Sequence, residues 1–394
     1  MTVRQWVVMV LSAIVSLSLS ACSLPQVKAE DRLFQNITLE FLGEIVVPRT
    51  LEVDKTPVGG LSGITYSPKD DVFYAVSDDR SIKAPARFYQ LKLNLDARGK
   101  PIATKFTGVT TLKNAAGNVY EKGTIDPEGI AITPQGTVWI ASEGASMAYG
   151  RSETIDGIPP FIQEHDIKTG KLLRSLRIPD QYIPRTDDKG NRRGVQNNMA
   201  FESLTLNANA ARMGATEPYR VFTAAENALE QDKSPDSESI EGDRVRFMHH
   251  SIQDRRIDLI AEYLYALEDK PIAGEKFGLT EMISLDGSGR FLSLERSFGL
   301  AGFKIELFQT VFAGSKDTSM LPSIQGLDTV VKPAQKELVA DLSTLDITLD
   351  NLEGMTIGPR LPDGSQSLII VSDDNFNPLQ KTQILVFRIK ELKN

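Results

Sequence analysis

The apolar residues of this chain fall in short runs of period two, the spacing of β-strands whose successive side chains face opposite ways. The clearest runs come in pairs. Residues 60–64 lead to 74–79, 127–132 to 138–143, 201–206 to 221–226, 280–285 to 291–295, and 352–357 to 368–374. Turn chemistry separates the members of a pair, as in Ser67-Pro68-Lys69-Asp70, Pro134-Gln135-Gly136, Asp286-Gly287-Ser288-Gly289 and Pro362-Asp363-Gly364. Each pair therefore predicts a β-hairpin.

Further strand-like runs follow the hairpins, such as 87–95 with 106–112 and 165–167 with 172–178. Four strands per unit is the blade of a β-propeller. The glutamates that open the units stand at 128, 202, 281 and 353, a period of 72–79 residues, and Ser62 takes the matching place in the first unit. That period exceeds the usual blade length of about 40–50 residues, so long loops are expected, with 184–198 and 230–243 as candidates. The expected fold is all-β, a propeller of five apparent blades. Segment 37–47 should pair with 383–389 in one blade, closing the ring from both termini without an exposed edge. A sixth, degenerate blade within 306–313 and 338–347 stays open, and a β-sandwich is the structural rival.

Composition narrows the function. The chain has 394 residues, 41% apolar and 24% charged, with a formal charge of −8. That balance argues against a nucleic-acid partner. One cysteine excludes an intramolecular disulfide, and three histidines argue against a histidine-rich metal site. The cysteine itself is informative. Arg4 precedes an apolar run over 7–19 that is too short to span a bilayer and suits a secretory signal. The run ends in Leu19-Ser20-Ala21-Cys22, which resembles the bacterial lipobox, in which the cysteine is lipidated and becomes the new N-terminus. The expected organisation is a lipoprotein signal over 1–21, a tether over 22–36 and the propeller domain over 37–394. Export and a lipid anchor at Cys22 on the periplasmic or extracellular face follow. An ordinary signal cleaved nearby is the alternative, and the sequence leaves the oligomeric state open.

The recurring carboxylates carry the candidate chemistry. In an antiparallel hairpin the residue before the first strand and the residue ending the second lie at the same end. If the hairpins are the inner strands of the blades, Asp78, Asp79, Glu128, Glu143, Glu202, Glu226, Glu281, Glu295, Glu353, Asp373 and Asp374 point to one mouth of the central channel. So many like charges raise one another's pKa, and hard cations relieve that repulsion. Ca²⁺, which takes six to eight oxygens, is the expected cofactor. Asp78, Asp79, Glu128, Glu202, Glu281, Glu353 and Asp373 are the candidate metal ligands. Glu143, Glu226 and Glu295 are the candidate general bases. Arg80 and Arg296, each directly after an acid, are candidate donors to an anionic substrate or ion-pair partners of those acids. The competing reading makes the acids acceptors for backbone N–H groups at strand ends.

Gly59-Gly60-Leu61-Ser62-Gly63-Ile64, Asp126-Pro127-Glu128-Gly129-Ile130 and Asn351-Leu352-Glu353-Gly354-Met355, with the recurrent closing acids, resemble the phytase-like ("esterase-like activity of phytase") family. The resemblance runs from about residue 43 to 389. It implies an exported bacterial β-propeller and phosphoester or ester hydrolysis of a small anionic or ester substrate. In the related calcium-dependent β-propeller phytases, acids at one mouth hold several Ca²⁺ ions that bind phosphate and activate water. Those enzymes gather more lysines and arginines around the phosphate than Arg80 and Arg296 here, so the resemblance is not carried to phytate itself. Other catalytic patterns are weak: Ser62 lies outside a Gly-x-Ser-x-Gly elbow, His165, His249 and His250 sit in strand-like runs, and no phosphate-binding glycine loop is present. A metal-dependent hydrolase and a non-catalytic ligand- or partner-binding propeller are the two function classes left.

Overall fold

The computed structural model describes residues 33–143, 159–233, 243–254, 256–268, 276–300, 302–327 and 330–391. Cys22, the signal expected over 1–21 and the tether expected over 22–36 as far as residue 32 lie outside the described residues. Residues 36–394 form one compact unit, and among the described residues no helix is long and apolar enough to cross a membrane.

Five four-stranded antiparallel sheets make a five-bladed propeller. Blade one is Leu61–Ser67, Val72–Ser77, Arg87–Leu95 and Pro101–Thr111; blade two is Pro127–Ile132, Thr137–Ser142, Phe161–Asp166 and Leu172–Ser175. Blade three is Phe201–Leu206, Tyr219–Ala225, Arg244–Gln253 and Arg256–Ala266. Blade four is Lys276–Ser284, Arg290–Gly299, Gly302–Val311 and Gln335–Asp341. Blade five combines Asn351–Arg360, Gln366–Asp373 and Gln383–Glu391 with the N-terminal strand Ile37–Val46 as its outer edge. That edge strand pairs antiparallel with the last strand, from Ile37 opposite Glu391 to Val46 opposite Gln383. The segments suspected of hiding a sixth blade are the third and fourth strands of blade four, because Glu306 pairs with both Glu295 and Asp341 in one sheet.

The first strands of the blades touch in a ring, each packing on the first strand of the next blade. Both faces of an inner hairpin are therefore covered, which is why Val72–Ser77 and Pro127–Ile132 are buried at every position. The core is correspondingly divided into five wedges between blades. Val76, Phe88, Ile130 and Ile140 fill the first gap; Trp139, Phe201, Leu204 and Met248 the second. Phe222, Phe247, Leu279 and Phe291 fill the third, Leu294, Leu307, Met355 and Phe387 the fourth, and Ile64, Tyr89, Val371 and Val386 the last.

One long connection bears on the mouth. The segment after Pro179 is pinned by a fully buried ion cluster in which Arg246 bonds Asp232 and Glu262, both at 2.6 Å, and Tyr182 donates to Glu262 at 2.7 Å. Val195 N–H then bonds Tyr182 C=O, so the chain returns over the mouth with Asn197 and Asn198 on its rim.

Candidate functional site

A β-bulge at the start of each inner strand builds the mouth. In the pairings of blades one, three and five the ladder skips Ser62, Glu202 and Glu353, and in blade two it skips Glu128 and Gly129. A bulged residue drops out of the pairing and is re-aimed, and Glu128, Glu202 and Glu353 line the axial cavity. The facing position is the residue after Ser77, Ser142, Ala225 and Ser372, the second-strand partners of Leu61, Pro127, Phe201 and Leu352. It holds Asp78, Glu143, Glu226 and Asp373 in blades one, two, three and five.

Blade four breaks the pattern by one residue. Its bulge falls on Thr280, and Leu279 pairs with Glu295 as Leu61 pairs with Ser77 and Leu352 with Ser372. The structural counterpart of Glu202 and Glu353 is thus Thr280, and the counterpart of Glu226 and Asp373 is Arg296. Two expected site residues are displaced, since a one-residue slip sends a side chain to the other face. Glu295 turns away from the mouth to accept from Tyr265 Oη at 2.5 Å, Glu268 N–H at 2.8 Å and Lys336 Nζ at 2.5 Å. Glu281 takes the place that Gly63, Ser203 and Gly354 occupy in their blades. There it accepts from Met282 N–H at 2.9 Å and from Leu204 N–H of the adjacent blade three at 3.3 Å.

Asp79 and Asp374 are also occupied structurally. Asp79 accepts from the N–H groups of Ile82, Lys83 and Ala84 and from Arg87 Nη1 at 2.7 Å, shaping the loop that carries Arg80. Asp374 accepts from Gly60 N–H at 2.8 Å. Gly60 has φ +62°, and a Cβ there would lie 2.2 Å from Asp78 Oδ1 and 2.7 Å from the Phe376 ring, so the turn admits only glycine.

The side chains that do converge are Asp78, Glu128, Glu143, Glu202, Glu226, Glu353 and Asp373, with Asp126 added by the structure. All but Asp78 are nearly excluded from solvent, and Asp78 is half-buried with its Oδ1 covered. The site was legible in the repeat at most of these positions; Asp126 was missed as a candidate although its place before Pro127-Glu128 matches that of Asn351 before Leu352-Glu353. Arg296 bonds Glu226 Oε1 at 2.7 Å and also reaches Glu353 and Asn351. Arg80 pairs with Asp126 Oδ2 at 2.5 Å and donates to Asn198. Lys83 and Lys276, which no motif flagged, stand at the rim.

Two cations cannot neutralise eight carboxyls. Burial, then repulsion from Glu202 and Asp126, pushes Glu128 well above the carboxylate range, and burial with Glu226 and Glu143 does the same to Glu202. Glu143, Asp78 and Asp373 are raised likewise, by burial first and neighbouring acids second. The arginines temper the effect: burial raises Asp126 to about 6 against the pull of Arg80, and Glu353 to about 7 against that of Arg296. Meanwhile Asp78 Oδ1, Asp126 Oδ1, Glu143 Oε2 and Glu202 Oε2 are buried and accept no hydrogen bond, an arrangement costly unless something else meets them.

A family model for phytase-like proteins, described as esterase-like activity of phytase, matches residues 56–376. The chain belongs to the phytase-like family. No curated protein matches it. Among solved structures, the catalytic domain of a GH62 α-L-arabinofuranosidase from Coprinopsis cinerea aligns at 8% identity and TM-score 0.40, over 90% of this chain and 97% of that one. The α-L-arabinofuranosidase PaAbf62A of Podospora anserina aligns at 10% identity and TM-score 0.39, over 90% and 96%. The Dos1 propeller aligns at 8% identity and TM-score 0.34, over 85% and 68%. These likenesses carry no argument about chemistry.

The donor set of this phytase-like propeller suits a hard divalent cation. Asp126, Glu128 and Glu143 each offer an oxygen within 4.8 Å of the others, and so do Glu143, Glu202 and Glu226. That is about the span of two Ca²⁺–oxygen bonds. All the donors are oxygens, which excludes a thiolate or imidazole site for zinc.

Proposed function

We propose that this phytase-like propeller is a hydrolase of phosphoesters or esters that works with Ca²⁺ at its acidic mouth. The observation that carries the reading is the set of four buried carboxylate oxygens without donors, on Asp78, Asp126, Glu143 and Glu202. Asp126, Glu128, Glu143 and Glu202 are the residues to hold the cation, with Glu143 common to both donor groups. When bound, such a cation polarises a phosphoryl or acyl oxygen and makes bound water acidic.

The chain's own groups supply the rest. Arg80, Lys83 and Lys276 at the rim draw an anion inward. Arg296 draws Glu226 and Glu353 towards the ionised form against burial through its two ion pairs. Glu353, titrating at about 7, is matched to accept a proton near neutral pH. It takes the role that the repeat suggested for Glu295, and Glu226 is left as its partner across Arg296.

Hydrolysis of an aryl phosphate and an aryl ester, with Ca²⁺ and with EGTA, tests this. Turnover should require Ca²⁺ and fall at least a hundredfold in Glu143→Gln and Glu202→Gln. Ca²⁺ binding without turnover of either substrate favours the ligand-binding propeller instead. Export and lipid attachment at Cys22 belong to the same proposal and rest on the sequence pattern alone. Palmitate labelling lost in Cys22→Ser supports them, and unchanged membrane association in that variant overturns them.

A further inference from the structure

The acidic mouth is not acidic all round. The cavity there is about 1260 Å³, larger than a phosphate or a short ester needs, and the same cavity is lined by Phe298, Phe303, Leu349, Phe376 and Leu379. These residues come from two neighbouring blades. In blade four the second and third strands run on past Arg296 and stay paired as far as Gly299 opposite Gly302. The second strands of the other blades stop at Ser77, Ser142, Ala225 and Asp373. The extra length lifts a hairpin beside the mouth, with Phe298 paired to Phe303 and their ring centroids 4.6 Å apart. Blade five contributes the turn after Asp373. There Asn375 N–H bonds Asp373 Oδ1 at 2.7 Å, which sets Phe376 over the Gly59–Gly60 backbone.

Much of this apolar surface meets water. Phe298 is 47% and Leu379 92% exposed. Scattered apolar side chains on a surface need no explanation, but these stand on the blade-four and blade-five sides of a cavity whose floor is charged, with Ile82 and Met199 adding to its apolar lining. Binding pockets combine an apolar lining with a few convergent polar groups in this way.

We propose that the wall receives the apolar part of the substrate, so that the substrate class is amphiphilic: a phosphate or carboxylate ester bearing an alkyl chain or aromatic ring, with its ester group on the floor beside Arg296. The inference rests on the hydrolase reading of the same mouth and specifies it. It sets this mouth apart from one built for a fully polar polyphosphate, which would leave Phe298 and Leu379 uncovered.

Calorimetry of the Ca²⁺-loaded protein with methylphosphonate and hexylphosphonate tests the wall without requiring turnover. Each methylene removed from water tightens binding, so hexylphosphonate should bind about tenfold or more tighter than methylphosphonate. Phe298→Ser should bring the ratio towards one. Leu379→Ser, a change at a side chain almost wholly in solvent, should lower it independently of any effect on folding. Equal affinity of the wild type for both phosphonates overturns the wall while leaving the anion site standing. Failure to bind either one overturns the hydrolase reading and this inference with it.

Discussion

The two ends of the propeller axis are made by the same five strands and differ completely in chemistry. At one end the bulges and strand ends present Asp78, Glu128, Glu202, Glu226, Glu353 and Asp373 around Arg296. At the other, a cavity of about 170 Å³ is lined by Thr65, Ala131, Thr205, Ile283 and Thr356 with Arg212 and Arg360, and among the described residues no carboxylate reaches it. Between them the axis narrows at Gly63, Gly129 and Gly354, where an added Cβ would strike a neighbouring strand's backbone at 2.5–2.8 Å, and Glu281 bonds the backbone of the neighbouring blade. Regular strand alternation gives a mouth without acids. A bulge, which frees one residue from the ladder, gives an acidic one. The fold provides the channel, and its irregularities provide the site.

The largest expected break in this comparison comes from Arg296→Met. It leaves Glu226 and Glu353 buried without their cation, and removing one partner of such a pair costs about 3–5 kcal/mol. Denaturant unfolding at pH 7.5 should show that loss. At pH 5 it should shrink, because both carboxyls then take up a proton instead of standing as charges. An equal loss at both pH values would mean that packing, not charge, is what Arg296 supplies.

Cation binding comes next. At a Ca²⁺ concentration one hundred times Kd the native state gains about 2.7 kcal/mol. Thermal unfolding in Ca²⁺, in Mg²⁺ and in EGTA should separate clearly, and the Ca²⁺ shift should vanish in the Glu143→Gln, Glu202→Gln double variant. Equal melting in all three conditions would make the acidic mouth as inert towards metals as the opposite one.

The third effect is a slope. A carboxyl whose pKa is higher in the folded than in the unfolded state holds its proton longer when folded, so stability falls as pH rises between the two values. For Glu281, raised by burial from 4.5 to about 8, that window spans roughly pH 4.5 to 8; for Glu353 it ends near 7. Without divalent cations, stability should therefore decline from pH 5 to 8, and Glu281→Gln should flatten the decline. Stability that rises over this range would contradict the charge distribution at the mouth.

The smallest effect belongs to the end without acids. Thr205→Val and Thr356→Val, both lining the opposite cavity, should change the Ca²⁺ shift by no more than about 0.5 kcal/mol. A larger change would mean the two mouths communicate through the Glu281 constriction.

Much of this was readable in the chain. The hairpin pairs, the five-fold count and the joining of 37–47 to 383–389 all follow from period-two alternation and turn residues, which are local properties. So does the gathering of acids at one end, since antiparallel pairing fixes which ends of a hairpin coincide. Blade four is where such reading fails. Glu281 and Glu295 match the repeat by eye, yet the bulge at Thr280 places them one residue away from their apparent counterparts and hands the site position to Arg296.

By itself the sequence determined the all-β character of the protein, its five recurring hairpins and the end of each hairpin where charge collects. Tertiary structure alone decided which carboxyls are bare, which are tied to backbone N–H groups, and that an arginine completes the ring. It also decided that an extended hairpin from blade four stands beside the acids with Phe298 and Phe303. The reason is physical: strand formation answers to near neighbours in the chain, whereas bulge position and side-chain solvation depend on how the inner strand of one blade packs against the next.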